Sequence, residues 1–135
     1  MEPTVKSGEV VTIDLSAYRK TDPKRWEVVM FPSPYDGDSN WISRVVGLPG
    51  ETVDVRDDGF YIDGKKVTAP APLALGNYRP MEGSIPPSPR GAVSFPYVIP
   101  PDGYFFLGDN VENALDGRYW GALQLHEIRG KVLGK

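Results

Sequence analysis

Asp109 and Asp116 stand seven residues apart, and a pair of carboxylates is a common basis for general acid–base chemistry. Two arginines, Arg44 and Arg118, are available to match them. An arginine beside a carboxylate depresses its pKa and leaves an acceptor where acid catalysis needs a donor. The four residues are therefore expected to hold structure together and to move no protons. Ser43, next to Arg44, carries a hydroxyl that becomes a nucleophile only beside a base. The only histidine is His126, read as a surface or packing residue, and Lys24, Lys65 and Lys66 read as solvated turn charges. Cysteine is absent, which removes thiol nucleophiles, disulfides and thiolate metal sites together. One histidine without any ligand spacing gives no basis for a metal, and no cofactor is implied.

Arg44-Val45-Val46-Gly47-Leu48-Pro49-Gly50-Glu51 resembles the RVxGLPGD box of type I signal peptidases. Gly108-Asp109-Asn110-Val111-Glu112-Asn113-Ala114-Leu115-Asp116-Gly117-Arg118-Tyr119-Trp120-Gly121 resembles their GDNxxNSxDSRxWG box. The opening Met1 to Val11 is similar to their M-x-P-T-L-x-x-G-D box, with Val5 for Leu and Glu9 for Asp. Trp26 to Phe31 is similar to their GDVVVF strand, with Trp26 and Glu27 in place of Gly-Asp. All the motifs occur in the family's order. A second group, the self-cleaving SOS repressors, shares the β scaffold and a serine–lysine dyad, but the Gly108 to Gly121 box favours signal peptidases.

The resemblance implies a serine endopeptidase scaffold for signal-peptide processing and at the same time questions its chemistry. The family's general-base lysine stands immediately before the arginine that Arg44 matches, and this chain has Ser43 there. Its nucleophilic serine precedes the M-x-P-T that opens this chain, and its supporting serine corresponds to Ala114. A serine hydroxyl has no proton affinity comparable with that of a lysine whose pKa burial has lowered. No intact catalytic set is therefore expected, and the domain is expected to be inactive in this form. The alternative is a non-catalytic module that binds extended peptides or regulates an active relative.

The resemblance also assigns roles to residues that do no chemistry. Asn40, Trp41 and Ile42 would offer main-chain groups to an extended, signal-peptide-like segment by strand addition. Met1, Val5 and Ile42 would line small pockets for alanine side chains, while Pro3 and Thr4 shape the turn into the first strand. Gly47, Pro49 and Gly50 would form a turn, where glycine permits positive φ and proline presets it. Gly108, Asp109, Asn110, Asp116, Arg118 and Gly121 would hold the last box against the strand of Ser43, with Trp120 packing in the core.

Size and charge narrow the remaining choices. A chain of 135 residues suits one domain, 1–135. With 15 basic and 18 acidic residues it lacks the positive footprint that nucleic acid requires. No stretch approaches the roughly 18 apolar residues of a membrane span, and Met1 is followed directly by a charge, so the chain as written is expected to be soluble. The family's anchor lies upstream of the nucleophile box, and a membrane-associated or extracytoplasmic location is the expectation where such an anchor exists.

Elements must position these residues, and the apolar pattern has the period of strands. Val10 to Leu15, Trp41 to Val46 and Thr52 to Val55 alternate and are rich in β-branched residues. Asp58-Gly59 and Asp63-Gly64 bracket Phe60-Tyr61-Ile62 and predict two hairpins, with Lys65-Lys66-Val67 as the return strand. Tyr104 to Leu107 and Ile128 to Leu133 predict two more strands. Nine of the 14 prolines fall between Val67 and Gly103, which predicts an extended insertion, 68–103, with edge strand at best. The fold expected is mainly β, of the signal-peptidase and SOS-repressor type. Helix is limited to one short turn within Leu123 to Glu127.

Overall fold

The computed structural model describes residues 10–56, 58–69, 93–109 and 116–134. Met1, Pro3, Thr4, Val5, Asn110 and Ala114 lie outside the described residues, as does 70–92 of the proline-rich segment. Among the described residues, ten strands form two antiparallel sheets. The larger sheet contains β1 (Thr12–Asp14), β10 (Gly130–Gly134), β2 (Val28–Pro32), β3 (Asn40–Gly47), β8 (Gly103–Leu107) and β9 (Leu123–Gln124), in that order. The smaller contains β6 (Lys65–Lys66), β5 (Gly59–Ile62), β4 (Thr52–Arg56) and β7 (Tyr97–Val98), in that order. The mainly β fold matches the expectation from the period-two pattern.

Strand β8 explains how the larger sheet is held. Every residue of Gly-Tyr-Phe-Phe-Leu is buried, the pattern of a strand covered on both faces. Phe105 and Leu107 join Val46, Val53, Phe60, Ile62 and Ile99 in the core shared with the smaller sheet. Tyr104 and Phe106 point the other way, into a cluster with Val29, Phe31, Val45, Trp120 and Leu123. There the rings of Phe31 and Phe106 lie 5.3 Å apart and those of Phe31 and Trp120 5.7 Å apart, within the range of favourable aromatic contact.

Several boundaries differ from the sequence reading. The first hairpin places Gly59 inside β5, paired with Arg56, so Asp58-Gly59 is not itself the turn. Asp63 and Gly64 do form one, with φ of 51° and 83°. Helix appears where none was expected, at α1 (Gly117–Trp120), because Asp116 caps it by accepting a hydrogen bond from the Arg118 amide. The expected turn at Leu123 to Glu127 divides into β9 and a single 3₁₀ turn, Leu125–Glu127, since Gln124 pairs with Gly103.

The end of the proline-rich segment enters the fold more deeply than an insertion would. Tyr97 and Val98 pair with Val53 and Thr52, Ile99 is buried in the shared core, and Phe95 and Tyr97 pack on Phe105. Gly47 also has a different reason from the one expected. Its φ is not positive; a Cβ there would lie 2.6 Å from Ile99 Cδ1 and 2.9 Å from Phe105 Cβ. Close approach requires the glycine, and positive φ applies to Gly50, at 80°. Among the described residues no helix is long and apolar enough to cross a membrane.

Candidate functional site

The middle of β3 is where the sequence-predicted residues converge. Asn40 to Arg44 pair with Pro32 to Val28 of β2 on one side. On the other side β8 begins its pairing only at Arg44, opposite Leu107. The Asn40 to Ser43 stretch therefore has an open edge among the described residues.

Parity along the strand decides which main-chain groups face that edge. Val45 donates to the Glu27 carbonyl and accepts from the Trp26 amide at 2.8 and 2.7 Å, so its peptide groups point toward β2. Residues two apart point the same way. Trp41 and Ser43 thus also bond toward β2, while the N–H and C=O of Asn40 and Ile42 face outward. The expectation that all three of Asn40, Trp41 and Ile42 present main-chain groups is corrected: Trp41 spends its own within the sheet.

Side chains alternate in the same way. Trp41, Ser43 and Val45 share the face that carries the Phe31, Phe106 and Trp120 cluster, and Trp41 packs against Tyr35 with ring centroids 5.8 Å apart. Ile42 stands on the opposite face, cross-strand from Met30, and both are half-buried. Met30 on one face and Tyr35 on the other are neighbours of this strand that the sequence reading missed. Cross-strand register alone could have found Met30, had the β2 boundaries been known.

Ser43 is 3% exposed and sits opposite Val29. Its hydroxyl is buried without a hydrogen-bond partner among the described residues. His126, the only imidazole, is exposed on the 3₁₀ turn and has no role at this strand. Nothing among the described residues accepts a proton from Ser43.

Two ion pairs frame the strand, and they divide the work unequally. Arg44 donates from Nε and Nη2 to the two oxygens of Asp109, both at 2.8 Å, and from Nη1 to the Trp26 carbonyl at 2.6 Å. Arg118 donates to Asp116 at 2.8 and 2.9 Å, a contact within one turn of chain. Asp116 also accepts from the amides of Gly108 and Arg118 at 3.1 and 3.0 Å. Arg44 and Asp109 link the Ser43 strand to the segment after β8, whereas Asp116 clamps the start of α1 to that same segment.

The expectation that arginine holds both carboxylates low fails for Asp116. Complete burial pushes its pKa up, against the opposing pull of Arg118 and the two amides. A carboxyl with no exposed surface pays a desolvation cost that the Arg118 and Gly108 donors do not cancel.

Arg25 and Glu51 are positioning residues that sequence reasoning overlooked. Arg25 donates to both Glu51 oxygens at 2.9 and 2.7 Å and to the Val46 carbonyl at 2.8 Å. Glu51 in turn accepts from the Leu48 amide at 2.6 Å. Together they fix the Gly47 to Gly50 turn at the end of β3. Trp26 stands where the resembling strand has glycine, and the backbone keeps the glycine conformation, with φ of 77°. Trp26 and Glu27 both oppose Val45, as in a bulge.

Comparison with known proteins places this geometry. Residues 1–134 match the family model described as Signal peptidase, peptidase S26. The chain is 32% identical to a signal peptidase I of Bacillus amyloliquefaciens over 87% of its own length and 60% of that protein. It is 32% identical to a probable signal peptidase I-2 of Synechocystis over 98% of its length and 56% of that protein. For signal peptidase IB of Staphylococcus aureus the identity is 31%, over 98% of this chain and 70% of the relative. The first two relatives are thus matched over less than two thirds of their length. A crystal structure of a signal peptidase I from Enterococcus faecalis V583 superposes with a TM-score of 0.61 at 29% identity, covering 82% of this chain and 97% of that one.

Proposed function

Because this chain belongs to the signal peptidase family, we propose that its Asn40 to Ser43 edge receives an extended, signal-peptide-like segment and that Ser43 leaves the domain unable to hydrolyse it. One observation carries the reading: a buried hydroxyl with no proton acceptor among the described residues occupies the strand position where the family places its base, directly beside an open main-chain edge. Abstracting a proton from an attacking hydroxyl requires a group whose pKa lies near working pH, and serine supplies none. The outward N–H and C=O of Asn40 and Ile42 support strand addition. Ile42 and Met30 would meet the peptide's side chains on one face. The domain is read as single, 1–135, with 68–103 as an insertion whose last residues complete the core.

Affinity should be low. Each main-chain hydrogen bond contributes about 1 kcal/mol net, and ordering a flexible peptide consumes most of the sum, which leaves Kd in the range of about 1 µM to 1 mM. The test is an amide NMR titration with a peptide carrying Ala-x-Ala, run beside a chromatographic cleavage assay. Shifts centred on residues 40–43 with no product are expected, and Ile42→Glu should weaken binding about tenfold without changing the melting temperature. Shifts absent from 40–43 would remove the groove. Cleavage abolished by Ser43→Ala would overturn the inactive reading and make Ser43 a nucleophile.

A further inference from the structure

We propose that a second cleft, remote in sequence from β3, binds a small monocarboxylate with an apolar body. The cleft has a volume of about 490 Å³, within the size range of small-molecule sites. It lies between the Leu15 to Arg19 turn that follows β1 and the Leu125 to Arg129 segment that leads into β10. No residue of β3 contributes to it, so the proposal is independent of the peptide groove.

Its walls are of two kinds. Leu125 and Ile128 pack on the Phe106 and Trp120 cluster and line the cleft together with Leu15, which is 65% exposed. An apolar side chain left that open gains from a covering apolar body. Arg19 and Arg129 supply the other kind of wall. Neither guanidinium makes a side-chain hydrogen bond or ion pair with another described residue. Asp14 attracts Arg19 from a distance, but its carboxylate is engaged by the amide and hydroxyl of Ser16 at 2.9 and 2.8 Å.

Charge and donors set the ligand class. The lining holds two guanidiniums, the His126 imidazole and one carboxylate, that of Asp102, a positive balance on a chain whose total, with histidine neutral, is −3. That balance suits one carboxylate better than a dianion. Guanidinium groups bind carboxylates in a bidentate manner. Tyr18 also lines the cleft, but its hydroxyl is buried and closed to a ligand there, so the residue adds wall and no donor. Unengaged guanidiniums beside an open apolar floor are the juxtaposition that a carboxylate with an apolar body would satisfy.

The probe is sodium octanoate, titrated into the 135-residue chain at neutral pH and followed by amide NMR, with octanol and octylammonium as neutral and cationic matches. Saturable shifts at residues 15–19 and 125–129 are expected with octanoate, and at least tenfold weaker responses with the other two. The double variant Arg19→Gln, Arg129→Gln, at exposed positions, should keep its melting curve and lose at least tenfold in octanoate affinity. The proposal is overturned by an absence of saturable shifts, by equal responses to octanol, by undiminished affinity in the double variant, or by shifts that centre on 40–43.

Discussion

Arg44 and Asp109 meet through two parallel hydrogen bonds, Nε to Oδ1 and Nη2 to Oδ2, both 2.8 Å long. This one contact joins the strand that carries Ser43 to the chain beyond β8. Their side chains are 11% and 2% exposed, so neither charge has water to fall back on. Asp109→Asn should cost about 3 kcal/mol, because the guanidinium keeps its desolvation penalty after losing its counter-charge. Replacing both partners with apolar residues should recover part of that loss. Urea denaturation of the two singles and the double, analysed as a cycle, measures the coupling; a value near zero would mean that the pair contributes nothing beyond its separate groups.

Asp116 should give the opposite pH signature to an ordinary ion pair. Its folded-state pKa is raised by burial, so between the unfolded value near 3.8 and the raised folded value the native state binds more protons. Stability from this group is therefore fully present below pH 3.8 and is lost as pH rises through the folded pKa. Asp116→Asn has no such proton to lose. The stability difference between wild type and Asp116→Asn should shrink with rising pH from about 4 upward. Chemical denaturation at several pH values checks the sign, and a difference that grows with pH would show that Arg118 outweighs burial.

Trp26 holds a φ of 77°, a conformation that costs an L-residue about 1 to 2 kcal/mol. Its half-buried ring packs on the shared core, which offsets that strain. Trp26→Ala loses the ring and keeps the strain, whereas Trp26→Gly loses both. Glycine should therefore be more stable than alanine here by about 1 kcal/mol, the reverse of their order in an ordinary strand. Thermal melts of the two variants decide it.

Ser43→Ala should stabilise the domain by about 1 kcal/mol, because it removes a buried hydroxyl that makes no hydrogen bond. Ser43→Lys alone should restore no cleavage, since catalytic groups that act as a unit do not contribute singly. It should also lower the melting temperature by several degrees, because it buries an ammonium beside Val29. A measurable turnover by Ser43→Lys would show that the other members of a catalytic set are already in place.

The sequence by itself determined the fold class, because period-two alternation and Asp-Gly hairpin signals depend on local chemistry alone. It also determined the family, since the Arg44 to Glu51 and Gly108 to Gly121 boxes are contiguous in the chain. It singled out Ser43 for the same reason. What it could not determine depends on register. Whether Trp41 or Ile42 presents its peptide groups outward follows from Val45 bonding toward Glu27 and Trp26, and no property of either residue encodes it. Gly47 was legible as a glycine, but its reason, the closeness of Ile99 and Phe105, comes from segments 52 and 58 residues away. Asp116 was legible as a partner for arginine, yet its raised pKa depends on complete enclosure, which only packing supplies. Arg25 and Glu51 are 26 residues apart, and only the fold brings them together across one turn. Local preference is written residue by residue, whereas burial, register and pairing are sums over distant segments that only the folded chain evaluates.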